Sequence, residues 1–538
     1  MPHLSVSLAV QRDGAVRVTC VWDTVSLDPH QTLAETPSTI AGAPTVELAT
    51  DAVTAHDDRG PLPLTVHVVE DDEGEPTRCW QVGRKTSGPI EYSYAAHPAA
   101  EEPRAAMPPL ELRAEGSGLS GALKCFVLLP PGPEELTFDL HWSTSTGPKH
   151  ATNGWLGVCS LGEDASASTP LTGKGLERLG DTYFMSGDLR EQHLREGPLS
   201  TWWLTPPGID VASFGARLGT TYDLMSQTFG APAHPYRVFL RAHPHRGANA
   251  SAHPASFVMA MNPSRPLDVG SLYETLAHEL VHEWLHLDGS DHEKTWFVEG
   301  SADYYSLVLP LRAGMIDQAA FVAAVNLAAR ECYANPQRGL SVQQAQQLFF
   351  SDFLAHRLPY ARGMFYLADL DARLRRETSQ TVGVDDVVRG VVRDRSAGEQ
   401  IGISGWCTRV ENILHSSEMP HLDDLVLTGA GRPCEDAFGS QFEMEMIDVP
   451  VLDFGFGSST LVTGQVRGLV PGGAADDAGL HDGEDIELPR YPEIVRMNVG
   501  EVLDIKVSRG GDTATVSIPL TGATAPVPQW RTRQHTTG

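Results

Sequence analysis

The stretch Ala277–Gly289, AHELVHEWLHLDG, constrains the fold more than any other part of the chain. It carries two overlapping H-E-x-x-H patterns, His278-Glu279-Leu280-Val281-His282 and His282-Glu283-Trp284-Leu285-His286. Histidines four residues apart meet on one face only where the backbone is α-helical. A metal held by such a pair needs a third protein ligand from elsewhere and leaves a fourth position for water. The chain must therefore build a helix here and return a second element to it. Ser271-Leu272-Tyr273-Glu274 has the form of a capping box and predicts the helix start, and Gly289 predicts its end.

The two registers compete. Residues eight apart on a helix are separated by ~12 Å along the axis and turned by roughly 80°, so His278, His282 and His286 cannot share one ion. Glu299 begins a further helical pattern in Thr295-Trp296-Phe297-Val298-Glu299-Gly300 and is the candidate third ligand. Sixteen residues separate it from His282 and twelve from His286. The longer spacer gives the chain room to end the helix, turn and come back. The first register also keeps both histidines inside the helix, whereas His286 falls in its last turn. His278, His282 and Glu299 are thus the expected ligands of one Zn2+, with Glu279 beside the water-occupied position as general base. Asp303, one turn beyond Glu299, can accept a hydrogen bond from a ligand histidine.

The rest of the chain sets the frame. Short alternating runs such as LSVSLAV, AVRVTCVW and LTFDLHW, separated by Pro, Gly, Asp and Ser clusters, predict an antiparallel β domain over 1–205. Val211, Phe214, Leu218, Tyr222, Met225 and Phe229 recur at helical spacing, with Gly230 as a stop. Further helices are predicted from Glu299 to about Leu311, from Asp317 to about Cys332 and from Pro359 to about Glu377. A catalytic domain over 206–416, a linker over 417–439, a small β-rich module over 440–522 and a loose tail over 523–538 complete the expected organisation.

Lys plus Arg number 40 against 69 Asp plus Glu, a net charge of -29, which argues against nucleic acid or an anionic membrane as the partner. No apolar run has the length of a membrane span, and the N-terminal stretch shows no secretion signal. The seven cysteines are scattered, odd in number and never in a C-x-x-C pair, the pattern of free thiols in a reducing cytoplasm.

AHELVHEW, WFVEGSADYYSLVLPLRAG and LPYARGMFYLADLDARLRRETS resemble the glycyl aminopeptidase family of thermolysin-like zinc metallopeptidases. The resemblance runs from about Pro207 to Arg376. It implies a multidomain α+β chain with an N-terminal β domain, a mainly helical thermolysin-like catalytic domain and a C-terminal PDZ module. It also implies His278, His282 and Glu299 as zinc ligands, Glu279 as general base and Tyr360 as hydrogen-bond donor to the tetrahedral oxyanion. Trp284 falls at the family's Trp position only in the first register. The family's substrate strand corresponds to Phe257–Asn262, so Met259, Ala260, Met261 and Asn262 are the expected substrate contacts. That stretch lacks the family's acidic residue. GQVRGLVPGGAADDAGLHDGEDI resembles a PDZ segment, with Phe454, Gly455, Phe456 and Gly457 as the loop that would receive a peptide carboxylate. The expected activity is zinc-dependent hydrolysis of peptide bonds, with a peptide or protein substrate and a peptide partner at the PDZ groove. The alternatives are an endopeptidase of other specificity and an inactive PDZ-containing binding protein.

Overall fold

The computed structural model describes residues 2–533 except 12, 24, 71–75, 100–107, 133–135, 144–155, 163–165, 170–174, 194–197, 233, 245–247, 266, 511 and 521. They form two compact units, Met1–Gly219 with Pro232–Leu272, and Thr220–Ala231 with Tyr273–Gly538. The expected boundary at 206 is therefore displaced. The strands that follow it stay with the first unit.

The first unit is built on strand alternation. In His3–Val10, Leu4, Val6, Leu8 and Val10 point inward and are essentially solvent-free. Burying each stabilises the unit by about 1.5–3 kcal/mol. His3–Val10 lies inside a seven-stranded sheet, antiparallel to Val16–Asp23 with Val6 opposite Cys20. On its other side it runs parallel to Thr137–Ser143, with Val6 opposite Leu140. The domain is thus not wholly antiparallel as expected. Burial pushes the Cys20 thiol up to about 12, so it is a core group and not a nucleophile.

The second large sheet of this unit orders Arg190–His193, Leu199–Trp203, Tyr236–Ala242, Ser256–Met261 and Ala248–His253. Ser256–Met261 holds three of the expected substrate contacts, and it is an interior strand. It pairs parallel with Tyr236–Ala242 on one side and antiparallel with Ala248–His253 on the other. Met259, Ala260 and Met261 are buried, and Asn262 donates its amide to the Pro244 carbonyl at 2.6 Å. Both backbone edges of the strand are in use, so it cannot receive a peptide as a further strand. The edge strands of the sheet, among the described residues, are Arg190–His193 and Ala248–His253.

The second unit is helical, with strands toward its C-terminal end. The His278 helix spans Tyr273–Val281, the Glu299 helix Asp291–Arg312, and the Tyr360 helix Phe353–Glu377. The last two begin well before Glu299 and Pro359, where the sequence places them. Ser290 and Glu293 form a hydrogen-bonded pair at the first start, the Ser290 N–H donating to the Glu293 carboxylate at 2.9 Å. Asp352 caps the second, accepting from the N–H groups of Leu354 and Ala355. Pro359 lies inside that helix.

The Glu299 and Tyr360 helices touch backbone to backbone at Gly300 and Gly363. A Cβ on Gly363 would collide with the Trp296 carbonyl and the Gly300 Cα, and one on Gly300 would collide with Gly363. The glycines after Glu299 and after Tyr360-Ala361-Arg362 are therefore packing requirements. They let one helix deliver a carboxylate and the other a tyrosine to the same place. Gly363→Ala should destabilise this unit by about 3 kcal/mol or more, since overpacking with no room to relax reaches or exceeds that range. Chemical denaturation compared with the wild type measures it.

The stretch 417–439 is not a free linker. Glu418 is fully buried, accepting from the Tyr366 hydroxyl at 2.9 Å and from Arg373 at 2.8 Å. The expected loose tail is also structured: Thr524–Thr532 is a strand paired antiparallel with Phe442–Pro450. Trp530 is buried, and its backbone N–H and carbonyl bond the Asn326 side chain at 2.7 and 2.8 Å. Between these strands a small module closes on a core that includes Phe454, Phe456, Val466, Leu503 and Ile505, with Leu354 of the Tyr360 helix packed into it.

Candidate metal centre

His278 sits in the last turn of its helix and His282 directly after it. The helix ends at Val281, not at Gly289. The N–H groups of Glu283 and Trp284 bond the carbonyls of Leu280 and Val281 in a tightened turn. Beyond it the chain is held elsewhere: the Asp288 N–H donates to the Ile401 carbonyl at 2.8 Å, and the Ile401 N–H donates back to the Asp288 carboxylate at 2.7 Å. This pinning cuts the second register off from helical geometry. His286 hydrogen-bonds the His282 backbone, and burial pushes its imidazole down to about 4. Trp284 packs against Tyr222 and Phe229 and donates its indole N–H to the Gly230 carbonyl at 2.7 Å. It thereby fixes where the turn lies.

The Glu299 carboxylate reaches both histidines of the first register. Its Oε2 is 3.3 Å from His278 Nε2 and 3.7 Å from His282 Nε2. The two imidazoles stand nearly perpendicular, 4.9 Å apart. Among the described residues, His278, His282 and Glu299 form the group whose donor atoms can converge on one ion, all within 4.8 Å of one another. Ligands ~2.0–2.2 Å from a tetrahedral ion lie roughly 3.3–3.6 Å apart, so the spacing suits zinc. His278 Nδ1 faces Asp303 Oδ1 at 2.8 Å, which leaves Nε2 to face Glu299, where a metal would take the place of its proton. His282 Nδ1 is buried with no hydrogen-bond partner among the described residues. A buried imidazole left unpaired is costly, and a cation at Nε2 offsets that cost.

Electrostatics follow the geometry. Burial alone would raise the Glu299 carboxyl, but His282 and the hydrogen bond from His278 outweigh it and hold the group at about 2. It is therefore an anion at neutral pH. Burial pushes His282 down to about 4, leaving it neutral and able to donate a lone pair. Burial also raises the Glu279 carboxyl to about 7, opposed by His278 and aided by Glu299. A carboxylate so placed is poised to gain and lose a proton near neutrality.

Tyr360 stacks on His278, ring centres 5.9 Å apart and 12° from parallel. Burial, reinforced by Glu299, raises its hydroxyl well above the usual range, so it stays a donor. The Arg357 guanidinium lies 4.6 Å over the Tyr360 ring and pairs with Glu331 at 3.1 Å and Asp303 at 3.7 Å. Sequence reasoning missed Arg357, Glu331 and His356, whose ring is 5.1 Å from Tyr360. Placing the helix start at Pro359 put Arg357 and His356 in a loop. Asp352 as a cap was the signal that would have put them on the same face as Tyr360.

Two histidines at a helix end and a glutamate returned by the next helix thus belong to a fold made of a β-rich unit and a helical unit. Solved structures share it. An aminopeptidase N family protein from Idiomarina loihiensis aligns over 99% of this chain and 98% of its own, at 15% identity and a TM-score of 0.67. An M1 zinc metallopeptidase from Deinococcus radiodurans, in a mutant form bound to a Tyr-Ser-Ala substrate, aligns over 80% of this chain and 94% of its own, at 16% identity and a TM-score of 0.52. Yeast LTA4 hydrolase aligns over 80% of this chain and 68% of its own, at 12% identity and a TM-score of 0.52. At these identities the likeness is one of fold. No curated protein matches the chain in sequence. Residues 288–363, from the turn after the His278 helix to Gly363, match the model of the M61 glycyl aminopeptidases. Over that segment the chain is similar to the M61 glycyl aminopeptidases.

Proposed function

We propose that the chain is a zinc-dependent peptidase of the aminopeptidase type, with one Zn2+ held by His278, His282 and Glu299. The observation that carries this reading is the convergence of His278 Nε2, His282 Nε2 and Glu299 Oε2 within 3.3–3.7 Å on the Glu299 oxygen. Zinc, when bound, supplies a Lewis acid and lowers the pKa of a water toward ~7. Glu279 takes the proton from the attacking water and passes it to the leaving amine, a shuttle suited to a carboxyl held near 7 by burial. Tyr360 donates its hydroxyl hydrogen to the oxygen on which negative charge develops. Asp303 holds His278 in the tautomer that presents Nε2. Arg357 keeps the Asp303 and Glu331 charges balanced behind it.

An endopeptidase reading keeps the same chemistry. It is favoured by the expected substrate strand, which carries no acidic side chain to receive a free amino group. A docking role for the C-terminal module gains no support from its Phe454–Gly457 loop. The N–H of Gly455 is donated to Asp453 and that of Gly457 to the Arg467 carbonyl, and a short helix, Thr460–Thr463, follows where a peptide-pairing strand would be needed. We read that module as a packing element against the Tyr360 helix. The test is hydrolysis of matched peptides with free and blocked N-termini, before and after chelation and with zinc restored. Cleavage of the free peptide that chelation abolishes and zinc restores is expected. Equal cleavage of the blocked peptide selects the endopeptidase, and stoichiometric zinc with no cleavage across a diverse library selects a binding protein.

A further inference from the structure

Aromatic rings run without a break from the protein surface to the metal centre. Phe350 is 56% exposed, and its ring lies 5.1 Å from Phe349. Phe349 packs 4.1 Å from His356 and stacks on Tyr360 at 6.3 Å and 16°. Phe353 stacks on His356 at 6.2 Å and is braced edge-on by Tyr491 at 4.8 Å. Tyr360 closes the series on His278. Phe349, Phe353, His356 and Tyr360 are each only half-buried, so this is a wetted face and not core.

Among the described residues, the face carries no free charge. His356 is tied through Nδ1 to the Phe349 carbonyl at 3.1 Å. The Arg357 charge is taken up by Glu331 and Asp303. An exposed apolar face ending on a catalytic centre favours an apolar occupant, because only such a group gains from leaving water there. A glycine has no side chain to place against it. An aromatic ring gains both area and edge-to-face or stacked contacts.

We propose that this aromatic face is the specificity subsite of the peptidase, receiving an aromatic or large aliphatic side chain of a residue flanking the scissile bond. The proposal rests on the peptidase reading and narrows its substrates away from glycine. Discrimination between side chains differing by several carbons in an apolar site is on the order of tenfold to a few hundredfold.

The experiment uses the full zinc-loaded chain and two matched peptide series, with Phe or Gly at each position flanking the cleaved bond. The ratio of kcat/KM for Phe over Gly should be about tenfold or more at one of the two positions. Binding of the same peptides to Glu279→Gln, read by calorimetry, should show a preference in the same direction. Phe349→Ala should bring both ratios toward one, and Phe349→Leu should keep part of them. Phe350→Ala, at an exposed position with no core to disturb, should lower the ratio several-fold and serves if Phe349→Ala fails to fold. Glycine preferred by the wild type, or ratios unmoved in both alanine variants, overturns the subsite. If no peptide is cleaved yet the Phe peptides still bind preferentially, the peptidase reading fails and the aromatic site stands. If none is cleaved or bound, both fail.

Discussion

Glu279→Gln should bind zinc as the wild type does and lose about 10²–10⁴ in kcat, whereas Glu283→Gln should stay within a few-fold of wild type. The amide has nearly the shape of the carboxylate but cannot shuttle the proton. Glu279 lies between the two histidines that meet Glu299, and its carboxyl is raised to about 7. Glu283 lies in the turn after Val281, where the chain has left the helix. Steady-state kinetics on a cleaved peptide, with metal content measured on the same samples, decides the matter. Loss of turnover in Glu283→Gln alone would move the chemistry to the other register.

The second large effect concerns the metal itself. His282→Ala should weaken zinc affinity by more than about 100-fold, because loss of even an outer partner of a ligand costs ~10–100-fold. His286→Ala should retain the metal. Competition with a chromogenic chelator reads both. His282 Nε2 lies 3.7 Å from the shared Glu299 oxygen, and His286 is engaged with the His282 backbone. Zinc lost from His286→Ala and kept by His282→Ala would contradict the geometry.

Much of this centre is legible in the order of residues. The H-E-x-x-H pattern, the spacing to Glu299 and the glycines after Glu299 and Arg362 are local signals with local causes. The helix Val211–Phe229, stopped at Gly230, and the cap at Asp317, which accepts from the Ala320 N–H at 2.8 Å, also follow from local rules. What local rules miss are competitions decided at a distance. Leu280, Trp284 and Leu287 continue the helical period, so nothing nearby announces that the helix stops at Val281. Asp288 is held by Ile401, more than a hundred residues on. Pro359 is a reasonable first residue of a helix, yet Asp352 supplies a better cap and the helix runs through the proline. Thr524–Thr532 reads as a tail because its apolar residues are few. It is ordered by Asn326 and by pairing with Phe442–Pro450. The interior place of Ser256–Met261 depends on Ala248–His253 folding back over it, a pairing invisible in either segment alone.

The most direct measurement is anomalous X-ray diffraction at the zinc edge from crystals of the zinc-loaded protein. One ion per chain is expected, ~2.0–2.2 Å from His278 Nε2, His282 Nε2 and a Glu299 oxygen, with a fourth position open to solvent. An ion on His286, or no ordered ion at the three residues, would contradict this.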